Sequence, residues 1–451
     1  MLDDDPTGSQ SVSRAHVVTV FEEAEYAAAL ASDDVATFIL TNTRSMGEQD
    51  AVDLDARIVD DLYKVAGADN LDIVSRSDST LRGHVIAEMR AIGARYRQAT
   101  GREVDGILFA PAFFEAGRFT SGDVHYATIG GQPVPVGSTE FARDATFGYS
   151  ASDLREFVVE KAGGSIAAGD VLSISIETIE QGPDAVRDEL LLAHDAAFIV
   201  VNGTGYAHFE TVVLGVQAAI DRGHTFLFRT GPSFVRSLAG IEPRGPLVAA
   251  DFPELQSSAA HGLVVVGSHV SQTSRQVAAA QAMGGLVEFE LSVPRILQAE
   301  AGYLPAAIEG VRAALAHDDV LVFTSRDFVA GEDAASSLDI ARTVSAAVSA
   351  VVAGALAARP AWVIAKGGIT SHDVAVHGLG LRRARVRGQL LPGLISVFEP
   401  IVASAEAVGM PYVVFAGNVG DDGTLAHVIS TLRAAQAGEH PGAPIPKETT
   451  E

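Results

Sequence analysis

Short apolar runs rich in β-branched residues alternate along this chain with stretches of helical spacing, and that alternation limits the fold more than any other feature. In the first half a strand-like run at 35–40 precedes a helical pattern at 52–65, one at 71–74 precedes a helical pattern at 84–96, and one at 106–109 follows. Runs at 171–176, 197–201 and 225–228 continue the series. Strands of this length joined by crossover helices predict a mainly parallel sheet with helices on both faces. The second half restarts the same grammar at 262–266, with a helix from 272, a run at 320–323, a long Ala/Val helix at 336–358, and runs at 362–365 and 412–415. Between the halves, residues 240–261 carry three prolines and no sustained period, as an interdomain connection does. The expectation is an α/β protein of two domains, 1–250 and 258–436, divided near Ser257. A Pro-rich polar tail at 437–451 is expected to be disordered.

Aromatic residues are only 6% of the chain while hydrophobic residues are 47%, so the cores must be built from Ala, Val, Ile and Leu. A formal net charge of -25 argues against a general affinity for nucleic acid or an anionic membrane surface. Any site for an anion must therefore be local, gathering Arg, Lys and backbone N–H groups against a repulsive background. The absence of cysteine removes disulfides, thiolate catalysis and Cys-based zinc sites. The acidic start, with Asp3, Asp4 and Asp5, does not read as an export signal, and the apolar stretch at 343–357 is shorter than a bilayer span and reads as a core helix. A cytoplasmic protein is expected, with no nucleic-acid or membrane partner and with homo-oligomerisation left open.

In the first half four polar clusters follow predicted strands or open the chain. They are Asp3-Asp4-Asp5-Pro6-Thr7-Gly8, Thr41-Asn42-Thr43-Arg44-Ser45, Arg76-Ser77-Asp78-Ser79-Thr80-Leu81-Arg82-Gly83-His84, and the stretch 111–118 ending in Arg118. The carboxyl ends of parallel strands converge on one crevice, so these clusters are expected to meet. Arg44, Arg76, Arg82 and Arg118 suit a carboxylate, and the Asp, Asn, Ser and Thr groups suit hydroxyls, as an anionic polyol requires. Ser79 and Thr80 are also candidates for capping the next helix.

The second half lacks both the P-loop pattern and G-x-G-x-x-G after a strand. It has three glycine turns between a strand and a helix: Gly267-Ser268-His269-Val270-Ser271, Lys366-Gly367-Gly368-Ile369-Thr370-Ser371, and Gly417-Asn418-Val419-Gly420. Glycine lets backbone N–H groups approach a phosphate closely, so three such turns at one sheet edge would cradle a polyphosphate. Lys366 is the positive charge beside the second turn.

At these residues the sequence resembles the four-carbon acid sugar kinase family. The matching stretches are DDDPTG, TNTRS, SDSTLRGH and PAFFEAGR, then VVVGSHVSQTSRQ, AKGGITS and the GNVG turn. The resemblance implies an N-terminal domain that binds a sugar acid and a C-terminal domain that binds ATP, with Mg2+, for transfer to the terminal hydroxyl of threonate, erythronate or an oxo-tetronate. By position it implies acid contacts from Asp4, Asp5, Arg44, Asp78, Arg82 and Arg118. Nucleotide contacts are implied for Ser268, Ser271, Gly367, Gly368, Ile369, Thr370 and Gly420. Relatives carry Lys-Ser-Gly-Asn-Phe-Gly where this chain has Phe415 to Gly420, so a phosphate-facing lysine is absent there and Lys366 is expected to stand in for it. They also carry an acidic residue after the Gly-Gly pair, where this chain has Ile369, and a full apolar strand before the paired aspartates, where only Met1 and Leu2 precede Asp3. Either the first strand is very short or the start has been lost.

The expected reaction is phosphoryl transfer in a cleft between the domains, with a carboxylate accepting the hydroxyl proton. Asp78 is the first candidate and Asp5 the second. An ATP-independent lyase or aldolase acting on a sugar acid, and a non-catalytic sensor of sugar acid or nucleotide, are the alternatives. No metal-ligating residues are assigned.

Overall fold

The computed structural model describes residues 1–5, 11–256, 258–268, 270–326, 334–417 and 419–439. Pro6, Thr7 and Gly8 of the first cluster, the expected divider Ser257, His269, Asn418 of the third glycine turn and 440–451 of the expected tail lie outside the described residues. The chain divides into two compact units, one running from Met1 to Pro243 and one beginning at Arg244.

The first unit contains β1 (Leu2–Asp3), β2 (Ala15–Val18), β3 (Ala36–Leu40), β4 (Val74–Arg76), β5 (Gly106–Ala110), β6 (Arg118–Ser121), β7 (Val124–Ile129), β8 (Gln132–Pro135), β9 (Leu172–Ile174), β10 (Ala197–Val201) and β11 (Phe226–Thr230). Eight of these form a parallel sheet in the order β2-β3-β1-β4-β11-β5-β10-β9. Alternate residues of β11 show that both faces are covered, as successive strand side chains point opposite ways. Leu227 joins a core with Met89 and Ile92 of the helix Val85–Thr100. Its neighbour Phe228 lies 6.3 Å from Phe234, which in turn lies 5.1 Å from Phe209 on the helix Tyr206–Ile220.

The central β1 is only two residues long, with Leu2 opposite Ile39 and Ser75, and Asp3 opposite Leu40 and Arg76. Its partner β4 starts at Val74 rather than at 71. Leu71 and Ile73 have no strand beside them on the β1 side and instead line a cavity of about 260 Å3 with Met1, Ala36 and Thr37. The small antiparallel sheet β6-β7-β8 was not expected from the sequence, since β6 opens on the polar Arg118 and β8 carries two prolines.

The second unit contains β12 (Leu263–Val266), β13 (Leu286–Leu291), β14 (Asp319–Thr324), β15 (Val363–Lys366), β16 (Arg383–Leu391), β17 (Ile395–Val402) and β18 (Tyr412–Phe415). The order β13-β14-β12-β15-β18 is parallel, and β17 and β16 extend it antiparallel. Val264, Val266, Leu321, Ile364 and Phe415 face one core, closed by the helices Ser271–Met283 and Thr424–Ala437. The intervening Val265, Val322 and Ala365 are fully buried as well, so this sheet too is covered on both faces. The helix Ala334–Ala355 carries most of the apolar stretch Asp339–Ala358, which by length and composition alone would cross a membrane. Here it buries Val344, Val348, Val351 and Val352 in the unit.

Candidate functional site

In the first unit, the residues following β1, β3 and β4 emerge from three adjacent parallel strands and therefore meet. Asp5 accepts a hydrogen bond of 2.6 Å from Arg44 NH2, and Arg44 NH1 lies 3.5 Å from Asp78. Arg82 Nε donates to Asp78 Oδ2 at 2.7 Å, and Arg82 NH1 lies 3.8 Å from Asp144. The result is a row of alternating charge, Asp5–Arg44–Asp78–Arg82–Asp144. Arg118, at the start of β6, donates to Ser79 Oγ at 3.3 Å. The guanidiniums of Arg82 and Arg118 lie 5.7 Å and 5.5 Å from the centre of the Phe141 ring. Asp5, Arg44, Asp78, Arg82 and Arg118 are thus brought together. Arg44, Arg82 and Arg118 remain partly exposed, and the carboxylate contacts of Arg44 and Arg82 are ones that an incoming acid can replace.

Two sequence-level expectations change. Arg76 does not face a ligand: it is 2% exposed, and its NH1 donates to Asp3 Oδ1 at 2.8 Å. The strand places it inside the sheet beside β1, where its charge needs a buried partner. Ser79 and Thr80 do not cap the following helix, which begins at Val85 with His84 at its N-cap. Thr80 Oγ1 instead donates to Asp78, so this hydroxyl serves the site.

The environments of the carboxylates differ sharply. Burial alone would raise the Asp78 carboxyl, but Arg44 and Arg82 outweigh it and hold it below the ordinary carboxylate range. Asp4 is buried and is pushed up to about 8 by loss of solvent, against the pull of Arg44 and Arg229. Its carboxylate lies 3.6 Å from Arg229 NH2, and Arg229 also pairs with Glu88 and donates to Ser75 Oγ at 2.6 Å. Asp55 is likewise held well above its usual value by burial and by Glu88. Asp4 therefore belongs to a buried network beneath the exposed row. A lone Arg within the apolar run Phe226-Leu227-Phe228-Arg229 was the sequence signal for this network.

Sequence reasoning also missed the groups that hold the 78–82 loop in shape. Tyr149 donates its hydroxyl to Thr80 O at 2.7 Å. His125, fully buried on β7, lies 2.9 Å from Ser79 O through Nε2 and 2.9 Å from Thr120 Oγ1 through Nδ1. Desolvation lowers His125 to about 4, so it is the neutral imidazole that donates to Ser79 O and accepts from Thr120.

In the second unit the three glycine turns converge on Ser268. A Cβ on Gly367 would lie 3.2 Å from Ser268 Cβ, and one on Gly417 would lie 2.8 Å from Ser268 Oγ and 3.8 Å from Gly367 Cα. Gly367 has φ +124, a conformation that favours glycine. Thr370 lies beside both Gly267 and Gly367. Thr273 Oγ1 donates to Gly417 O at 2.8 Å and lies 3.2 Å from Ser268 Oγ, from which it can accept. Gln276 Nε2 donates to Val419 O at 3.0 Å and Asp421 O at 2.6 Å, tying the Gly420 turn to the helix that Ser271 begins. Gly368 opens the next short helix, and Ile369 beside it is 64% exposed. A cradle that any Cβ would fill suits a polyphosphate approached by backbone N–H groups.

Lys366 is fully buried, donates to Ala416 O at 2.8 Å and Gly417 O at 3.2 Å, and lies over the Phe415 ring at 3.8 Å. Desolvation lowers it to about 7. Its described bonds join the second turn to the third. Among the described residues there is no group of three or more His, Asp or Glu arranged to hold a metal ion.

Two family models match the chain: a sugar-binding N-terminal domain over residues 1–238 and a nucleotide-binding C-terminal domain over residues 263–425. Among solved structures, a Haemophilus influenzae protein of the DUF1537 family is 15% identical, with a TM-score of 0.65, over 96% of this chain and 99% of that one. A Salmonella typhimurium LT2 protein is 17% identical, with a TM-score of 0.68, over 95% and 97% of the two chains. At these identities the likeness is one of fold. No curated protein matches the chain.

Proposed function

Because the chain belongs to the DUF1537, or four-carbon acid sugar kinase, family, with a sugar-binding and a nucleotide-binding domain, we propose that it is an ATP-dependent kinase acting on the terminal hydroxyl of a four-carbon sugar acid. The observation that carries this reading is the convergence of three glycine turns on Ser268, a cradle that a lyase or aldolase would not need. Bound ATP with Mg2+ would supply the phosphoryl group and the charge neutralisation that transfer requires.

The acid's carboxylate is assigned to Arg82 and Arg118, whose guanidiniums share the Phe141 ring and a loop locked by His125 and Tyr149. Asp78 orients Arg44 and Arg82 rather than taking a proton, since two cations already satisfy its ionised form. Asp5 is the better proton acceptor, because it lies in the same row and keeps a partly exposed carboxylate, where Asp78 is held ionised by both Arg44 and Arg82. Ser268, Gly367, Gly368, Thr370, Gly417 and Gly420 are assigned to the phosphates, with Ser271 at the start of the adjoining helix. The exposed Ile369 offers an apolar surface to the base.

The test is ADP release, coupled to an optical readout, with ATP, Mg2+ and a panel of threonates, erythronates and oxo-tetronates. ADP formed with one acid and not without it supports the reading. Turnover of an acid without nucleotide, or silence across the whole panel, sinks it.

A further inference from the structure

A polyphosphate site needs positive charge as well as N–H groups, and the described cations flanking the glycine turns are mostly spent. Lys366 is enclosed against two carbonyls and an aromatic face, where loss of solvent lowers its affinity for a proton. Arg275 pairs with Asp422 at 2.8 Å, and Arg433 pairs with Asp319 at 2.6 Å.

Arg326 differs from all three. It follows β14, the strand beside β12, and the register Val266 opposite Phe323 brings it level with the first glycine turn. Its NH1 donates to Ser268 O at 2.8 Å and its NH2 to Ser274 Oγ at 2.7 Å, while its Nε is buried without a partner among the described residues. Among the described residues no carboxylate pairs with it, and burial lowers its affinity for a proton. In a chain with 57 acidic and 32 basic side chains, a half-buried guanidinium whose partners among the described residues are two neutral acceptors, at the meeting point of three turns, calls for an anion from outside.

We propose that Arg326 is the phosphate-binding cation of the nucleotide half, contacting the outer phosphates of a nucleoside di- or triphosphate. This assignment rests on the nucleotide reading above and deepens it. Two neutral contacts hold the guanidinium over Ser268, leaving its full charge for a phosphate oxygen. It takes the role expected of Lys366, whose charge is enclosed against Ala416 O and Gly417 O.

The experiment is calorimetric titration of ATP, ADP, AMP and adenosine into the intact chain and into Arg326→Ala, Arg326→Lys and Ser274→Ala. Arg326→Ala is expected to weaken ATP and ADP about 10- to 100-fold, the loss of one charge-assisted contact, while changing adenosine by less than about threefold. Arg326→Lys is expected to recover part of the loss, and Ser274→Ala, which loosens one of the two contacts holding the guanidinium, to weaken ATP and ADP by less than Arg326→Ala does. An equal loss for adenosine and ATP would make Arg326 a latch for the Ser268 turn and overturn the assignment, as would unchanged ATP binding in Arg326→Ala. If the parent chain itself bound none of the four ligands, the nucleotide reading would fall first and take this assignment with it.

Discussion

Three consecutive aspartates at the start of the chain serve three different purposes because their surroundings differ. Asp3 is buried and neutralises Arg76, Asp4 joins the Arg229 network, and Asp5 reaches the exposed row through Arg44. Sequence alone marked Asp4 and Asp5 as a pair but could not separate their roles, since burial is a property of the fold around them. If Asp5 is the proton acceptor, Asp5→Asn lowers kcat by about 100-fold or more, whereas Asp78→Asn acts mainly on KM by freeing Arg44 and Arg82. Steady-state kinetics of the two variants decides between them. Asp4 makes a prediction about stability. Its carboxyl moves from 3.8 to about 8 on folding, so the folded state holds its proton more tightly. The resulting stabilisation is complete below the unfolded value and is lost as pH rises through about 8. Thermal unfolding between about pH 4 and 8 should show the parent losing stability relative to Asp4→Asn as pH rises.

At the scale of elements, most of the parallel strands were legible because they are buried on both faces and read as continuous apolar runs, as 197–201 and 412–415 do. The small β6-β7-β8 sheet escaped because it is half exposed and polar, with Arg118, Ser121 and two prolines in its strands. Yet this inconspicuous piece holds one wall of the proposed acid site, through His125 to Ser79 and through the following segment's Phe141, Asp144 and Tyr149. Only Arg118 was singled out from that wall, and the motif around it was the reason. His125→Ala strips Ser79 O and Thr120 of their partner, so denaturant unfolding should show a loss of about 1 to 3 kcal/mol. Acid affinity, followed by titration, should fall as well, with ATP affinity unchanged.

On the scale of the whole molecule, the chain concentrates its recognition charge against a net charge of -25. The groups proposed to bind the acid and the phosphates come from separate compact units, each with its own core. Two ligands that contact different units should respond to different mutations, with little crosstalk in binding. Arg82→Ala should weaken the acid about 10- to 100-fold and spare ATP, while Gly417→Val, whose side chain would press on Ser268, should do the reverse. Titrating each ligand into both variants checks the pattern. The glycine positions were readable in sequence as turns, and the fold packs them closely enough that a Cβ on Gly367 or Gly417 would press on Ser268. Arg326 was not, because its meaning lies in the two neutral contacts that hold it over Ser268, which only the fold brings together.

The two-residue β1 has too few ladder bonds to fix what it carries. Its register is reinforced from the side: Asp3 Oδ1 takes both Arg76 NH1 at 2.8 Å and the Asp5 amide at 3.0 Å, while Thr41 clasps Asp3 O at 2.9 Å through its hydroxyl. Arg76 is thus a keystone set one course below the masonry it supports. Removing it as Arg76→Met should let the Asp5 end of the arch sag, weakening the sugar acid in a titration though the altered side chain never meets it, and destabilising the fold by about 3 to 5 kcal/mol through the orphaned Asp3.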